Sequence, residues 1–155
     1  MIHIQVNEDA EQLWESLGVS FDALEEAAKE ALYQTRAAGD VELTIVLGMD
    51  ELLHDMNEEF LDVDAPTDVL SFSADFTDPD TQADYLGDIV ISIPRAIAQA
   101  AAAAHPVKDE LHLLVVHGVL HLMGYDHSED EEKLPMQEMQ DAILKALGSA
   151  PGPAL

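Results

Sequence analysis

Apolar and polar positions alternate from the start of the chain. Ile2, Ile4 and Val6 are separated by His3 and Gln5, a period of two that predicts a strand. The period then changes. Phe21, Leu24, Ala28, Ala31 and Leu32 recur at helical spacing and predict a helix over 21–38, with Ser20 as N-cap and Gly39 as stop. Val41, Leu43, Ile45 and Leu47 return to period two and predict a second strand. Asp50 is placed to cap a short helix ending near Phe60, and Pro66 breaks the chain beyond it. Strands are expected over 69–73 and 86–93, separated by an acidic, aperiodic stretch, 74–84, that reads as a loop. Pro94 suits the first turn of an Ala-rich helix ending near Ala104, and Pro106 opens the next, which ends before Gly124. Ser128-Glu129-Asp130-Glu131 has the form of a capping box, so Ser128 is expected to start the last helix. The tail 148–155, GSAPGPAL, is expected to fray.

Helices thus interleave with about four strands, without repeat or linker. The expectation is one α+β (mixed α/β) domain over 1–147, a small mixed four-stranded sheet packed with helices, followed by a flexible tail. The length of 155 residues fits a single domain.

Composition narrows the chemistry. No apolar run reaches the length of a membrane span, and the first residues carry no basic region followed by an apolar stretch. A cytoplasmic protein without a membrane partner is expected. There is no cysteine, so any transition-metal site must use histidine and carboxylate ligands. Six basic residues oppose 32 acidic ones, a net charge of −26 that on average repels polyphosphates. Solubility or a salty cytoplasm explains that charge, and a basic partner such as a ribosomal protein is the alternative.

The informative stretch is His117-Gly-Val-Leu-His121-Leu-Met-Gly124-Tyr-Asp-His127. Residues four apart on a helix share a face, so His117 and His121 can reach one ion. Gly124 can end the helix in the left-handed conformation and let the chain deliver His127 as a third ligand. Three imidazoles would leave a fourth zinc position open for water, the pattern of a catalytic site. Zinc peptidases with this spacing carry Glu directly after the first His as general base, whereas Gly118 stands here. The other histidines read as structural: His112 points elsewhere on the helix, His3 faces outward on a strand, and His54 and His105 have no partner at ligand spacing. The acidic run 129–132 complements the positive end of the last helix.

HGVLHLMGYDH resembles the H-G-x-L-H-L-x-G-Y-D-H signature of the YbeY family of bacterial rRNA maturation factors. Asn57-Glu-Glu-Phe60 followed by Pro66-Thr67-Asp68-Val69-Leu70-Ser71-Phe72 resembles the family's N-x-x-[YF]-R…P-T-D-V-L-S-F stretch, and Leu86-Gly87-Asp88-Ile89 its L-G-D-I strand. The resemblance spans about 40–147. It implies a zincin-like metallohydrolase fold and one Zn2+ per chain on His117, His121 and His127. The implied activity is single-strand-specific endonuclease action in 16S rRNA 3′-end maturation and ribosome quality control. The implied partners are the 16S precursor, the small ribosomal subunit and its assembly factors. Two positions depart from the pattern: Leu61 stands where the family usually has Arg, and Gln140 where it often has Glu. Pro66 and Asp68 serve substrate handling or simply shape a strand entry. Three readings follow: a zinc-dependent endoribonuclease, a metallopeptidase-like hydrolase disfavoured by Gly118, and a non-catalytic assembly factor whose zinc braces the fold.

Overall fold

The computed structural model describes residues 1–153 and 155. In chain order the elements are β1 (Ile2–Val6), a 3-10 turn (Glu8–Ala10), α1 (Glu11–Ser16), α2 (Phe21–Gln34), β2 (Val41–Gly48), α3 (Asp50–Leu61), β3 (Val69–Thr77), β4 (Asp84–Ser92), α4 (Ile93–Ala103), α5 (Val107–Leu122) and α6 (Asp130–Ala146). The four strands form one sheet in the order β1-β2-β4-β3. β1, β2 and β4 are parallel and β3 is antiparallel on the edge, so the sheet is mixed as the pattern predicts. Parallel neighbours require crossover connections. α1 and α2 supply the first, and α3 with β3 lies within the second.

One face of the sheet carries Leu43, Ile45, Leu47, Ile89 and Ile91 into the main core. There they meet Leu111, Val115, Val116, Val119 and Leu120 of α5. α5 is flanked by Ala27, Ala28 and Ala31 of α2, Ala96 of α4 and Met136 and Ile143 of α6. Buried positions run round α5 without a polar stripe, the mark of a helix enclosed on all sides. The opposite face is covered by α3, where Leu53 packs on Leu70 and Val90. Each such side chain contributes roughly 1.5–3 kcal/mol by leaving water. The result fixes α5 against the sheet and sets the position of everything it bears.

The structure differs from the pattern reading at several places. α2 stops at Gln34, because Arg36 takes the left-handed conformation at φ 57°, and Ala37 and Arg36 donate back to the Leu32 and Tyr33 carbonyls. Gly39 therefore lies beyond the helix rather than at its stop. The stretch 74–84 is not wholly a loop. β3 runs to Thr77 and β4 starts at Asp84, with Phe76 opposite Tyr85 and their rings stacked at 5.0 Å. A register shift between Ser73 and Phe76 breaks the alternation that would have announced this strand. Asp50 is the first residue of α3 rather than its cap. Its Oδ1 accepts instead from the Ser92 hydroxyl and from Arg95 Nε. The capping box at Ser128 does not form. Glu129 precedes α6, and the Ser128 hydroxyl donates to Asp126 Oδ2 at 2.8 Å. Neither the 3-10 turn nor α1 was foreshadowed in the pattern.

Beyond α6, Ser149 donates to the Leu144 carbonyl, Ala150 to Asp109 Oδ2 and Leu155 to Gln137 Oε1, so these three residues lie against α5 and α6. Among the described residues no helix is long and apolar enough to cross a membrane.

Candidate metal centre

His117 and His121 stand one turn apart near the C-terminal end of α5. Met123 closes the helix, Gly124 turns the chain at φ 95°, and Gly124 and Tyr125 donate back to the carbonyls of His121 and Leu120. This pair of bonds is a Schellman turn. No neighbour lies within 4 Å of a Cβ built on Gly124, so backbone conformation rather than space requires glycine there. Asp126 then shapes the next residues. Its Oδ1 accepts from the amides of His127 (2.7 Å) and Ser128 (3.2 Å). The Ser128 hydroxyl, first among these contacts, holds the Asp126 carboxyl below the usual carboxylate range. The turn brings His127 back to the helix.

One nitrogen from each of His117, His121 and His127 lies within 4.8 Å of the others, a group that could hold a metal ion. The ring centroids are 4.6 Å apart for His117 and His121 and 5.3 Å for each pair with His127. Nε2 of His121 faces Nε2 of His117 at 3.0 Å. Two bare lone pairs cannot face each other so closely, so a proton or a cation must lie between them. On the far side of the ring, His117 Nδ1–H donates to Oε1 of the fully buried Gln140 at 3.3 Å. That bond fixes the tautomer and leaves Nε2 as the nitrogen available to an ion. Burial, reinforced by the charge of His121, holds the His117 pKa below the ordinary value of 6.5. Burial and then His127 do the same for His121. Both rings are thus biased to the neutral form that metal ligation needs.

The cluster opens on a cleft of about 710 Å3, also lined by Leu61, Asp68, Ser71 and Ser73. Leu61 is at the end of α3, so the position at which the family pattern carries arginine does face the metal cleft. Neither Arg95 nor Lys108 lines it. Arg95 lines a separate groove and pairs with Asp50 at 3.2 Å. Asp68 works locally: its Oδ1 accepts from the Val69 amide at 2.8 Å and its Oδ2 from Gln99 Nε2 at 3.3 Å. Gly118 faces the sheet. A Cβ there would meet Ile89 Cγ2 at 2.7 Å, so a glutamate at this position conflicts with the packing of α5 on β4. The Ser71 hydroxyl donates to the Gly118 carbonyl at 3.2 Å and ties the strand to the metal helix.

The remaining histidines are spread over the molecule. His112 is buried, with Nδ1 2.5 Å from the Ser149 hydroxyl. His3 meets Glu42 at 2.9 Å and His105 meets Glu110 at 3.4 Å. His54 does have partners at ligand spacing, contrary to the sequence reading: Asp64 at 2.5 Å and Glu58 at 3.8 Å form a surface group with it. Glu58 was one helical turn away, but Asp64 arrives only because Asp62 turns the chain left-handed. The acidic residues Asp130, Glu131 and Glu132 occupy the first turn of α6, as the dipole reading requires. Sequence reasoning did not assign roles to Gln140, Asp126 or Ser71. The resemblance marked position 140 as polar in the family, which was the available signal for the first.

An α+β domain that gathers three imidazoles at a cleft has a donor set that could hold a metal ion. A family profile described as "Endoribonuclease YbeY" matches residues 7–148. The Endoribonuclease YbeY of Roseiflexus castenholzii is 45% identical over 130 residues, covering 81% of this chain and 82% of the relative. That of Shouchella clausii is 38% identical over 159 aligned residues and covers 96% of each. A Thermotoga maritima protein solved in solution aligns with a TM-score of 0.58 at 30% identity, over 95% of this chain and 89% of that one. The chain belongs to the YbeY endoribonuclease family.

Proposed function

We propose that the chain is a zinc-dependent endoribonuclease that cuts single-stranded RNA during 16S rRNA 3′-end maturation and ribosome quality control. It would work in the cytoplasm on the small ribosomal subunit and its assembly factors, with one Zn2+ per chain. The observation that carries this reading is the convergence of His117, His121 and His127 on a cleft in a chain of this family. The donor set is all nitrogen, with Gln140 behind His117, which suits zinc. When bound, zinc supplies Lewis-acid chemistry at a phosphoryl oxygen. The chain's own residues orient that site. Gln140 holds the His117 ring, and Asp126 holds the His127 backbone.

Ile89 crowds the face of Gly118, so no carboxylate occupies the general-base position of zinc peptidases. Among the described residues no lysine or arginine lines the cleft, so on this reading the ribosome does much of the positioning of the RNA backbone. That missing cation also favours a second reading, a non-catalytic assembly factor braced by its metal. The test is cleavage of single-stranded RNA and of peptides by metal-free and zinc-reloaded protein, with His121→Ala as control for contaminating nuclease. Zinc-dependent RNA cleavage lost in the variant is expected. Peptide cleavage alone would favour the peptidase. Assembly function retained in histidine variants that have lost metal would favour the non-catalytic factor.

A further inference from the structure

The face of the sheet that α3 covers is only partly closed. Leu53 packs there on Leu70 and Val90, and Phe72 borders that cluster. Further along the same face stand Phe76 and Tyr85. Phe72 is paired with Asp88 and Phe76 with Tyr85, and the Tyr85 hydroxyl donates to Asp88 Oδ1, so the four side chains share one side. Phe60, near the end of α3, meets the Phe72 ring edge-on at 5.4 Å, and the Phe76 and Tyr85 rings stack at 5.0 Å. Tyr85 is pinned by Asp88 and Thr44, so Phe76 rests on a fixed ring. Yet Phe60 is 57% exposed and Phe76 54%, and Leu61 and Val63 are exposed beside Phe60. Three of the chain's four phenylalanines thus gather on one open patch. Contiguous exposed apolar side chains mark a binding surface, whereas scattered ones do not.

The charge around the patch selects what binds it. Over 37–94, the stretch that holds the whole patch, the chain has no lysine or arginine. Glu58, Glu59, Asp62, Asp64, Asp75 and Asp84 are exposed next to the aromatic residues in sequence. His54, the one histidine of the stretch, is already paired with Asp64 and Glu58. An aromatic platform also stacks nucleobases, but here no cation meets a phosphate and the carboxylates repel it. A second copy of the chain would press like charges together. Arginine satisfies both parts of the surface. Its guanidinium plane lies on an aromatic ring while its N–H fork pairs with a carboxylate. We propose that this patch docks an arginine-rich segment of a partner protein. Leu61, adjacent to Phe60, lines the metal cleft, so the docked segment lies beside a cleft that has no lysine or arginine of its own among the described residues. The docking surface deepens the ribosomal reading by naming where a basic partner is held, and for its biological meaning it rests on that reading.

The test uses binding rather than cleavage, so the two ideas fail separately. The full chain is titrated into a fluorescent peptide of arginine alternating with glycine, and anisotropy is followed. A net charge of −26 attracts any cation, so variants that leave the charge untouched decide. Phe60→Ser and Phe76→Ser should each weaken binding about tenfold. Tyr33→Ser, at a side chain 79% exposed on α2 and away from the patch, should leave it unchanged. The lysine counterpart of the peptide should bind more weakly than the arginine form, and the uncharged citrulline counterpart should not bind. Where one variant misfolds, the other and the comparison of arginine with lysine still decide. Unchanged affinity in both folded variants, or equal binding of the arginine and lysine peptides, would reduce the effect to the general pull of the charge and overturn the assignment. Tighter binding of a single-stranded oligonucleotide that depends on Phe60 and Phe76 would give the surface to RNA, and dimerisation lost in Phe76→Ser would give it to a second copy. Either result also overturns it. Cleavage of single-stranded RNA measured in parallel separates the readings. Patch-dependent peptide binding without cleavage contradicts the nuclease and keeps the docking surface, and cleavage without such binding does the reverse.

Discussion

Leu61 is 54% exposed on the wall of the metal cleft. A guanidinium at that place could grip a phosphate through two parallel hydrogen bonds, whereas leucine offers neither charge nor donor. Leu61→Arg is therefore expected to raise cleavage of free single-stranded RNA about tenfold, the equivalent of about 1.4 kcal/mol in the transition state. Rates of the two proteins at matched zinc content and low salt check this, and an unchanged rate would show that the missing cation is not limiting. A second expectation concerns His112, whose pKa burial, and then Lys108, depress below the ordinary 6.5. The unfolded chain then binds a proton that the folded one refuses, so unfolding is favoured as pH falls. This contribution to stability is complete above about pH 6.5 and is lost as pH drops through the folded value. His117 and His121 act in the same sense. Glu110, raised by burial, acts in the opposite one, losing its contribution as pH rises. Urea midpoints of metal-free protein should fall between about pH 7.5 and about pH 5, and the fall should be smaller in His112→Gln. Equal slopes in the two proteins would contradict the burial argument.

At the level of elements, much was legible in the sequence. The alternation of Ile2, Ile4 and Val6 gave β1, and that of Val41 to Leu47 gave β2, because each strand lays one apolar row on the α-helical core. The H-x-x-x-H-x-x-G-x-x-H spacing foretold that the three histidines converge, because its parts are local: one helical turn, one glycine turn, one loop. What escaped was non-local or irregular. The β3–β4 hairpin was hidden by its register shift, and the end of α2 by an arginine taking a conformation usual for glycine. Gln140 meets His117 from 23 residues away, across a helix packing that no periodicity describes. The glycine turn carries its own prediction. Gly124→Ala would force a side chain into φ 95°, at a cost of roughly 1–2 kcal/mol. Because the same turn delivers His127, zinc affinity should fall by about tenfold, with Gly124→Asn losing less. Competition with a chromophoric chelator measures this, and equal affinities in all three proteins would place His127 outside the site.

For the molecule as a whole, the charge of −26 and a cleft without lysine or arginine pull against free RNA as substrate. On the proposed reading, the same surface suits the basic proteins of a ribosomal subunit, whose attraction would position an RNA end that this chain holds only weakly by itself. Fold, turn and buried amide converge on a single claim, that three imidazoles hold the ion on which the chemistry depends. Elemental analysis of the purified protein and of His117→Ala, His121→Ala and His127→Ala tests it most directly. The wild type should carry about one zinc per chain, and each variant should lose most of it while retaining its secondary structure. Wild-type metal content in all three variants would contradict the account.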